Sequence, residues 1–209
     1  MTKWLYCSVA ALLMAACASA ALELTELPNG YVSDWAGKSA FAVNLGGGQY
    51  VYGRVEFAVY DAASAADAGL AVPGDRQYLY AYQVFNTDGN AAMTYFALTG
   101  LNPAAIDSAD QIGTAPNPGS GIDAEAYFDT NRTKAIFTFE DGMMVVGQSS
   151  VFLLLGSDAK PIVGGYEVVP SSQDNIWIPG EDTNQTPVPE PATMLLLLTG
   201  TAMSLRKRK

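Results

Sequence analysis

Gln49-Tyr50-Val51-Tyr52-Gly53-Arg54-Val55-Glu56-Phe57-Ala58-Val59-Tyr60 sets Val51, Gly53, Val55, Phe57 and Val59 on one parity and Tyr50, Tyr52, Arg54, Glu56, Ala58 and Tyr60 on the other. Successive side chains of a pleated strand point to opposite faces, so this period-two pattern reads as a half-buried strand with one wet face. Arg76 to Asn86 repeats the pattern, with Tyr78, Tyr80, Tyr82 and Val84 opposite Leu79, Ala81, Gln83 and Phe85. Asp88-Gly89-Asn90 has the composition of a turn into Ala92–Leu98, which predicts an antiparallel hairpin between the two runs. Further strands are expected at Ala135–Glu140, Met143–Val146, Val151–Leu155 and Tyr166–Val169, with Asp141-Gly142 as a second hairpin turn. Gly46-Gly47-Gly48, Pro73-Gly74-Asp75, Ala115-Pro116-Asn117-Pro118-Gly119 and Lys160-Pro161 punctuate these runs, and helical periodicity is hard to find. Short strands at this spacing predict an all-β fold, an antiparallel β-sandwich of immunoglobulin-like or jelly-roll-like type.

Two stretches depart from the pattern. Ala62–Leu70 is Ala-rich and bracketed by Asp61 and Pro73, so it reads as one helical turn or a flexible loop. Asn102–Gly121 is rich in Pro, Gly and polar residues and reads as a long surface loop with a short turn at Ala104–Ala109.

The ends of the chain have a different character. Lys3, the apolar run Trp4–Ala16 and the small-residue pattern Ala18-Ser19-Ala20 predict a secretory leader over residues 1–20, cut by signal peptidase before Ala21. A competing reading takes Met14-Ala15-Ala16-Cys17 as a lipobox with Cys17 acylated; simple cleavage is preferred. The body then covers residues 21–179, a linker 180–188, and an apolar run Ala192–Leu205 that stops at Arg206-Lys207-Arg208-Lys209. Apolar residues followed by four cations predict a membrane helix held with its basic end on the cytoplasmic side. Its fourteen residues fall short of the roughly 20 that span the hydrocarbon core.

Cysteine and charge narrow the function classes. Cys7 and Cys17 are the only cysteines and both lie in the leader, so the body must be held by a hydrophobic core without disulfides. From Ala21 to Thr186 six cations (Lys38, Arg54, Arg76, Arg132, Lys134, Lys160) face twenty carboxylates, a net charge of −14. Phosphate contact needs a basic face, so nucleic acid is not an expected partner.

Histidine is absent, which removes the commonest general base and the commonest zinc ligand. Gly46-Gly47-Gly48 lacks the Lys-Ser/Thr of a phosphate-binding loop. Paired carboxylates for glycosidase chemistry could come from Asp123, Glu125 and Asp129, or from Glu140 and Asp141, but surface acids are the default in so acidic a chain. Asn86, Asp88 and Asn90 have the one-three-five spacing of a calcium loop, yet glycine comes at position four and Ala97 at position twelve. A hairpin turn accounts for them better, so no cofactor is expected and calcium is left as a weak alternative.

Tyr50, Tyr52, Tyr78, Tyr80 and Tyr82 alternate along neighbouring strands. Exposed, they would make an aromatic strip for stacking on sugar rings, with Tyr78, Tyr80 and Tyr82 as the candidate glycan contacts. Tyrosine is also an ordinary strand residue that pairs across a sheet, and this structural reading is favoured.

The run Val188-Pro189-Glu190-Pro191-Ala192, the apolar stretch and the terminal basic cluster together resemble the PEP-CTERM sorting signal of Gram-negative bacteria, here residues 189–209. The resemblance implies recognition at Val188, Pro189, Glu190 and Pro191 by a membrane-embedded exosortase, a cysteine transpeptidase-like enzyme. It also implies a transient membrane intermediate and a final location at the cell surface or outside. Tyr78–Asn86 with Asp88-Gly89, and Gly147-Gln148-Ser149-Ser150 before an apolar strand, resemble the β-rich bodies found in front of such tails. Those proteins are regarded as surface or matrix components of bacteria that make exopolysaccharide. The expectation is therefore an exported, non-enzymatic surface or matrix protein, with a carbohydrate-binding module as the alternative and a secreted hydrolase as a distant one.

Overall fold

The computed structural model describes residues 23, 24, 27, 31–118, 121–139, 143–168 and 171–179; the leader, the linker and the whole sorting run from Val188 to Lys209 lie outside them. Among the described residues there are ten strands: β1 (Tyr31–Gly46), β2 (Gln49–Asp61), β3 (Tyr78–Gly89), β4 (Tyr95–Thr99), β5 (Ile112–Ala115), β6 (Ala124–Phe128), β7 (Lys134–Phe139), β8 (Phe152–Ser157), β9 (Pro161–Val168) and β10 (Ser171–Pro179). They form two five-stranded sheets, ordered β1-β2-β3-β8-β5 and β10-β9-β4-β7-β6. Every pairing of named strands is antiparallel.

Alternation brings the apolar parities together between the sheets. Val55 pairs with Val84, Phe57 with Tyr82 and Val59 with Tyr80, so β2 and β3 turn a continuous apolar face inward. The second sheet answers with Phe96, Leu98, Ala135, Phe137, Phe139, Tyr166 and Val168. Tyr82 meets Phe96 at 5.9 Å between ring centroids, and Phe41 of β1 meets Tyr166 edge-on at 6.3 Å. Such contacts weld the two sheets, since each fully buried large side chain contributes about 1.5–3 kcal/mol relative to exposure.

A second apolar cluster lies on the outside of the first sheet. Ala58 and Tyr60 of β2, Leu79 and Ala81 of β3, and Phe152 and Leu154 of β8 are covered by Leu24, Leu27, Ala65 and Leu70. Ala65 belongs to helix α1 (Ala62–Asp67), and Asp61 caps that helix by accepting the Ser64 N–H at 2.7 Å. The wet face expected along β2 is therefore wet only at its start: Tyr50 and Tyr52 are exposed, while Glu56, Ala58 and Tyr60 are buried. Period two gives the parity of a strand but not what lies over each face.

Other expectations are corrected by pairing. β3 and β4 do not form a hairpin; β3 lies between β2 and β8, and β4 sits in the opposite sheet between β7 and β9. Met143–Val146 is not a strand of its own: Met144 makes one isolated bridge to Met93, with N–H to O distances of 2.8 and 3.0 Å. The Asp141-Gly142 turn lies outside the described residues. The presumed surface loop Asn102–Gly121 contains two short 3-10 turns and β5, and Ile106 and Gln111 within it are buried. Gln111 earns its place by hydrogen bonds: its Nε2 donates to the Gly156 carbonyl at 2.9 Å and its Oε1 accepts the Ser108 N–H at 2.8 Å. The alternation reading does not include β1, β6 or β10. β1 turns into β2 through Gly46, Gly47 and Gly48, all at positive φ, the backbone region that glycine occupies without steric cost.

Candidate functional site

Tyr78, Tyr80 and Tyr82 point into the space between the sheets, with exposures of 8%, 0% and 1%. The Tyr80 hydroxyl donates to the Ala159 carbonyl at 2.6 Å. Burial pushes the Tyr80 and Tyr82 hydroxyls above the usual tyrosine range by disfavouring the phenolate. No sugar ring reaches them, so the candidate glycan contacts are corrected to core residues. The physical reason is that β3 is flanked by β2 and β8 and its tyrosine parity faces the other sheet.

Two other places expose tyrosine. Tyr50 and Tyr52, at 40% and 43% exposure, lie nearly parallel on the open start of β2 with ring centroids 6.4 Å apart. The second place is the outer face of β6, β7, β4 and β9, where cross-strand register aligns the side chains in rows. Tyr127, Ile136, Ala97 and Glu167 form one row, and Glu125, Thr138 and Tyr95 form the next. A cavity of about 300 Å³ opens here, lined by Thr94, Tyr95, Ala97, Tyr127, Lys134, Ile136, Thr138 and Glu167.

Local sequence explains this groove. In β6, Ala124, Ala126 and Phe128 pack on the core, which turns Glu125 and Tyr127 outward. In β4, Phe96 and Leu98 turn inward, leaving Tyr95 and Ala97 on the outer face. Ala97 is too small to rise above its neighbours and is covered by them, so the half-buried Ile136 beside it makes a low apolar floor between higher walls. Tyr127 stands 44% exposed on one side, its hydroxyl 3.2 Å from Thr138 Oγ1. On the other side Lys134 Nζ donates to Glu167 Oε1 at 2.7 Å, and that bond holds the ammonium above its usual value. The alternation of Ala124–Phe128 carried the signal for Tyr127, because its apolar parity leaves the tyrosine on the wet one.

Among the described residues, the remaining candidates do not assemble into a second site. Asp129 accepts the Thr133 N–H at 2.7 Å, the Lys134 N–H at 3.0 Å and the Thr133 hydroxyl at 2.8 Å, closing the β6–β7 turn. Partial burial opposes its charge, yet those hydrogen bonds prevail and hold its carboxyl below the usual range. Asp123 is exposed ahead of β6, and Glu140 and Asp141 lie outside the described residues. Asn86 Nδ2 donates to the Met144 and Ala91 carbonyls, and Asp88 Oδ1 accepts the Gly89 N–H. Asn90 ties the Tyr50 N–H and the Gly48 carbonyl together. These three residues thus brace the strand ends. Among the described residues no three acidic side chains converge as a metal site, and no helix is long and apolar enough to cross a membrane.

Four of the body's six cations pair with its own carboxylates. Lys38 and Arg54 bracket the buried Glu56 at 2.7 and 3.1 Å and also hold Glu23 at 2.8 and 2.5 Å. The Arg54 guanidinium lies 4.0 Å over the Phe85 ring. Arg76 pairs with Asp107 and, at 2.9 Å, with Asp158. No protein-family model, curated protein or solved structure matches the chain. The processing residues Ala18, Ala20 and Ala21 and the terminal sorting residues all fall outside the described part of the chain.

Proposed function

We propose that this chain is an exported, non-enzymatic protein of the cell surface or extracellular matrix, delivered by a secretory leader and processed by an exosortase at Val188-Pro189-Glu190-Pro191. The observation that carries the reading is the tail: a Pro-Glu-Pro mouth, an apolar run and four terminal cations in that order. Each part has a physical role, respectively a recognition site, a bilayer-seeking segment and a cytoplasmic hold.

The body suits a scaffold placed outside the cell. It has two apolar clusters and no cysteine, so its stability does not depend on an oxidising partner. Four of its six cations, Lys38, Arg54, Arg76 and Lys134, are spent on its own carboxylates, which leaves a surplus of acid facing the medium. Strand order favours the immunoglobulin-like reading over the jelly roll. β2-β3-β8-β5 occupy the A-B-E-D places and β10-β9-β4-β7-β6 the G-F-C-C′-C″ places of a variable-type sandwich. β1 is added outside β2, and the chain visits β5, β6 and β7 in the reverse of the usual order.

Intact-mass analysis and terminal sequencing of the protein recovered from an exopolysaccharide-producing host test the sorting reading. The expected result is a chain beginning near Ala21 and lacking Arg206–Lys209. Recovery outside the membrane of a chain that keeps those four residues would contradict it.

A further inference from the structure

We infer that the groove over β6, β7, β4 and β9 binds an uncharged polysaccharide, with Tyr127 and Tyr95 as stacking walls and Ile136 as the apolar floor. The inference deepens the matrix reading above by giving the body a site and a ligand class.

The shape argues for a chain of flat rings. Tyr95 and Tyr127 stand on β4 and β6, with β7 between them and one row apart, so their backbones are separated by about 10 Å across the sheet and about 7 Å along it. A short run of linked pyranose rings crossing the strands obliquely covers such a span. The C–H face of a pyranose is apolar and weakly positive, and it packs on tyrosine faces or on an aliphatic floor such as Ile136. Its rim of hydroxyls needs donors and acceptors at the edge of that contact. Thr94 and Thr138 supply hydroxyls, and Glu167 and Lys134 supply an acceptor and a donor fixed side by side at 2.7 Å. A paired carboxylate and ammonium can serve two neighbouring hydroxyls without either charge being left bare.

Charge decides the class of occupant. Among the described residues Lys134 is the one cation lining the groove, and it is already neutralised by Glu167. Glu125 lies in the next row and Asp129 closes the turn beside it, so a uronate or phosphate chain would meet net negative charge. The acidic body as a whole adds to that repulsion, and it also opposes a second copy of this chain as the occupant. An extended peptide gains little here, because the backbone groups of β4 and β7 are already paired with neighbouring strands.

The test is native gel electrophoresis of the full chain, held in a detergent without a sugar headgroup, through gels containing dextran, hydroxyethylcellulose, galactomannan or alginate. Retardation is expected in at least one of the three neutral gels and not in alginate. Tyr127→Ala and Tyr95→Ala are each expected to weaken that retention about ten-fold, whereas Tyr52→Ala leaves it unchanged. Denaturation midpoints measured alongside should stay at the parent value for Tyr127→Ala, which separates lost contact from lost fold. The inference is overturned by no retardation in any neutral gel, by retention that survives Tyr127→Ala, by loss caused equally by Tyr52→Ala, or by preference for alginate. None of these outcomes bears on the sorting reading, which the mass of the secreted chain decides on its own.

Discussion

The two sheets turn outward surfaces of similar strand composition to their surroundings and treat them in opposite ways. Outside the first sheet, Ala58, Tyr60, Leu79, Ala81, Phe152 and Leu154 are sealed by α1, Leu24 and Leu27, and the polar end of the same face is closed by the Glu23–Lys38–Arg54–Glu56 network. Outside the second sheet, Tyr95, Ile136, Thr138 and Tyr127 line an open groove. Tyr60 on the first sheet's outer face is therefore core, although Tyr50 and Tyr52 at the open start of β2 stay exposed, while Tyr127 keeps 44% of its surface. The contrast separates a face built for stability from one available for contact.

Core truncation should have the largest effect and mark the baseline for both faces. Tyr82→Ala, between the sheets, is expected to lower unfolding free energy by about 3–5 kcal/mol in urea titration, the cost of emptying a large buried site. Leu24→Ala should cost about 2–4 kcal/mol, because Leu24 is fully buried although it lies outside every strand. A near-neutral result there would open the first sheet's outer face and erase the contrast.

Glu56→Gln comes next, at about 1–2 kcal/mol by the same titration. It removes the negative charge between two cations while keeping one acceptor oxygen, and Lys38 and Arg54 are partly exposed, so water compensates them. The network also fixes a pH dependence. The Lys38 hydrogen bond, against a desolvation penalty and with help from Arg54, holds the Glu23 carboxyl below its ordinary value of 4.5. A depressed carboxylate contributes stability that is complete above its unfolded value and is lost as pH falls through its folded value. Asp158, held low by the Gln77 N–H, and Asp61, held low by the Ser64 N–H, act in the same sense. The thermal midpoint should therefore decline as pH drops below 4.5, and Lys38→Met should flatten that decline. Tyr127→Ala should be the mildest change, within about 0.5 kcal/mol of the parent.

What could be read from the chain follows the same division. Alternation in Gln49–Tyr60 and Arg76–Asn86 identified β2 and β3, because parity is a local property of a pleated strand. Partner choice was not local: Asp88-Gly89-Asn90 looks like a hairpin turn, yet the strands on either side of it enter different sheets. β5 was hidden in a polar stretch because Gln111 is satisfied by carbonyls that only the folded chain brings near. The tyrosine strip failed for a related reason, since Tyr78, Tyr80 and Tyr82 share a parity with Val84 and burial follows the whole face. The groove tyrosines were weakly legible: Tyr127 alternates with Ala126 and Phe128, but the row that joins it to Ile136 and Ala97 exists only through pairing. The proposed export and sorting rest on the ends of the chain, where the reading lies in residue order and needs no tertiary contact.

Hydroxyl-radical footprinting read by mass spectrometry tests the contrast between the two faces most directly. Tyr50, Tyr52, Tyr95 and Tyr127 should be oxidised while Tyr60, Tyr78, Tyr80 and Tyr82 are protected, and a retained neutral polysaccharide should protect Tyr95 and Tyr127 alone. Oxidation of Tyr60 or Tyr82 at the rate of Tyr127, or unchanged oxidation of Tyr127 in the presence of that polysaccharide, would contradict the account.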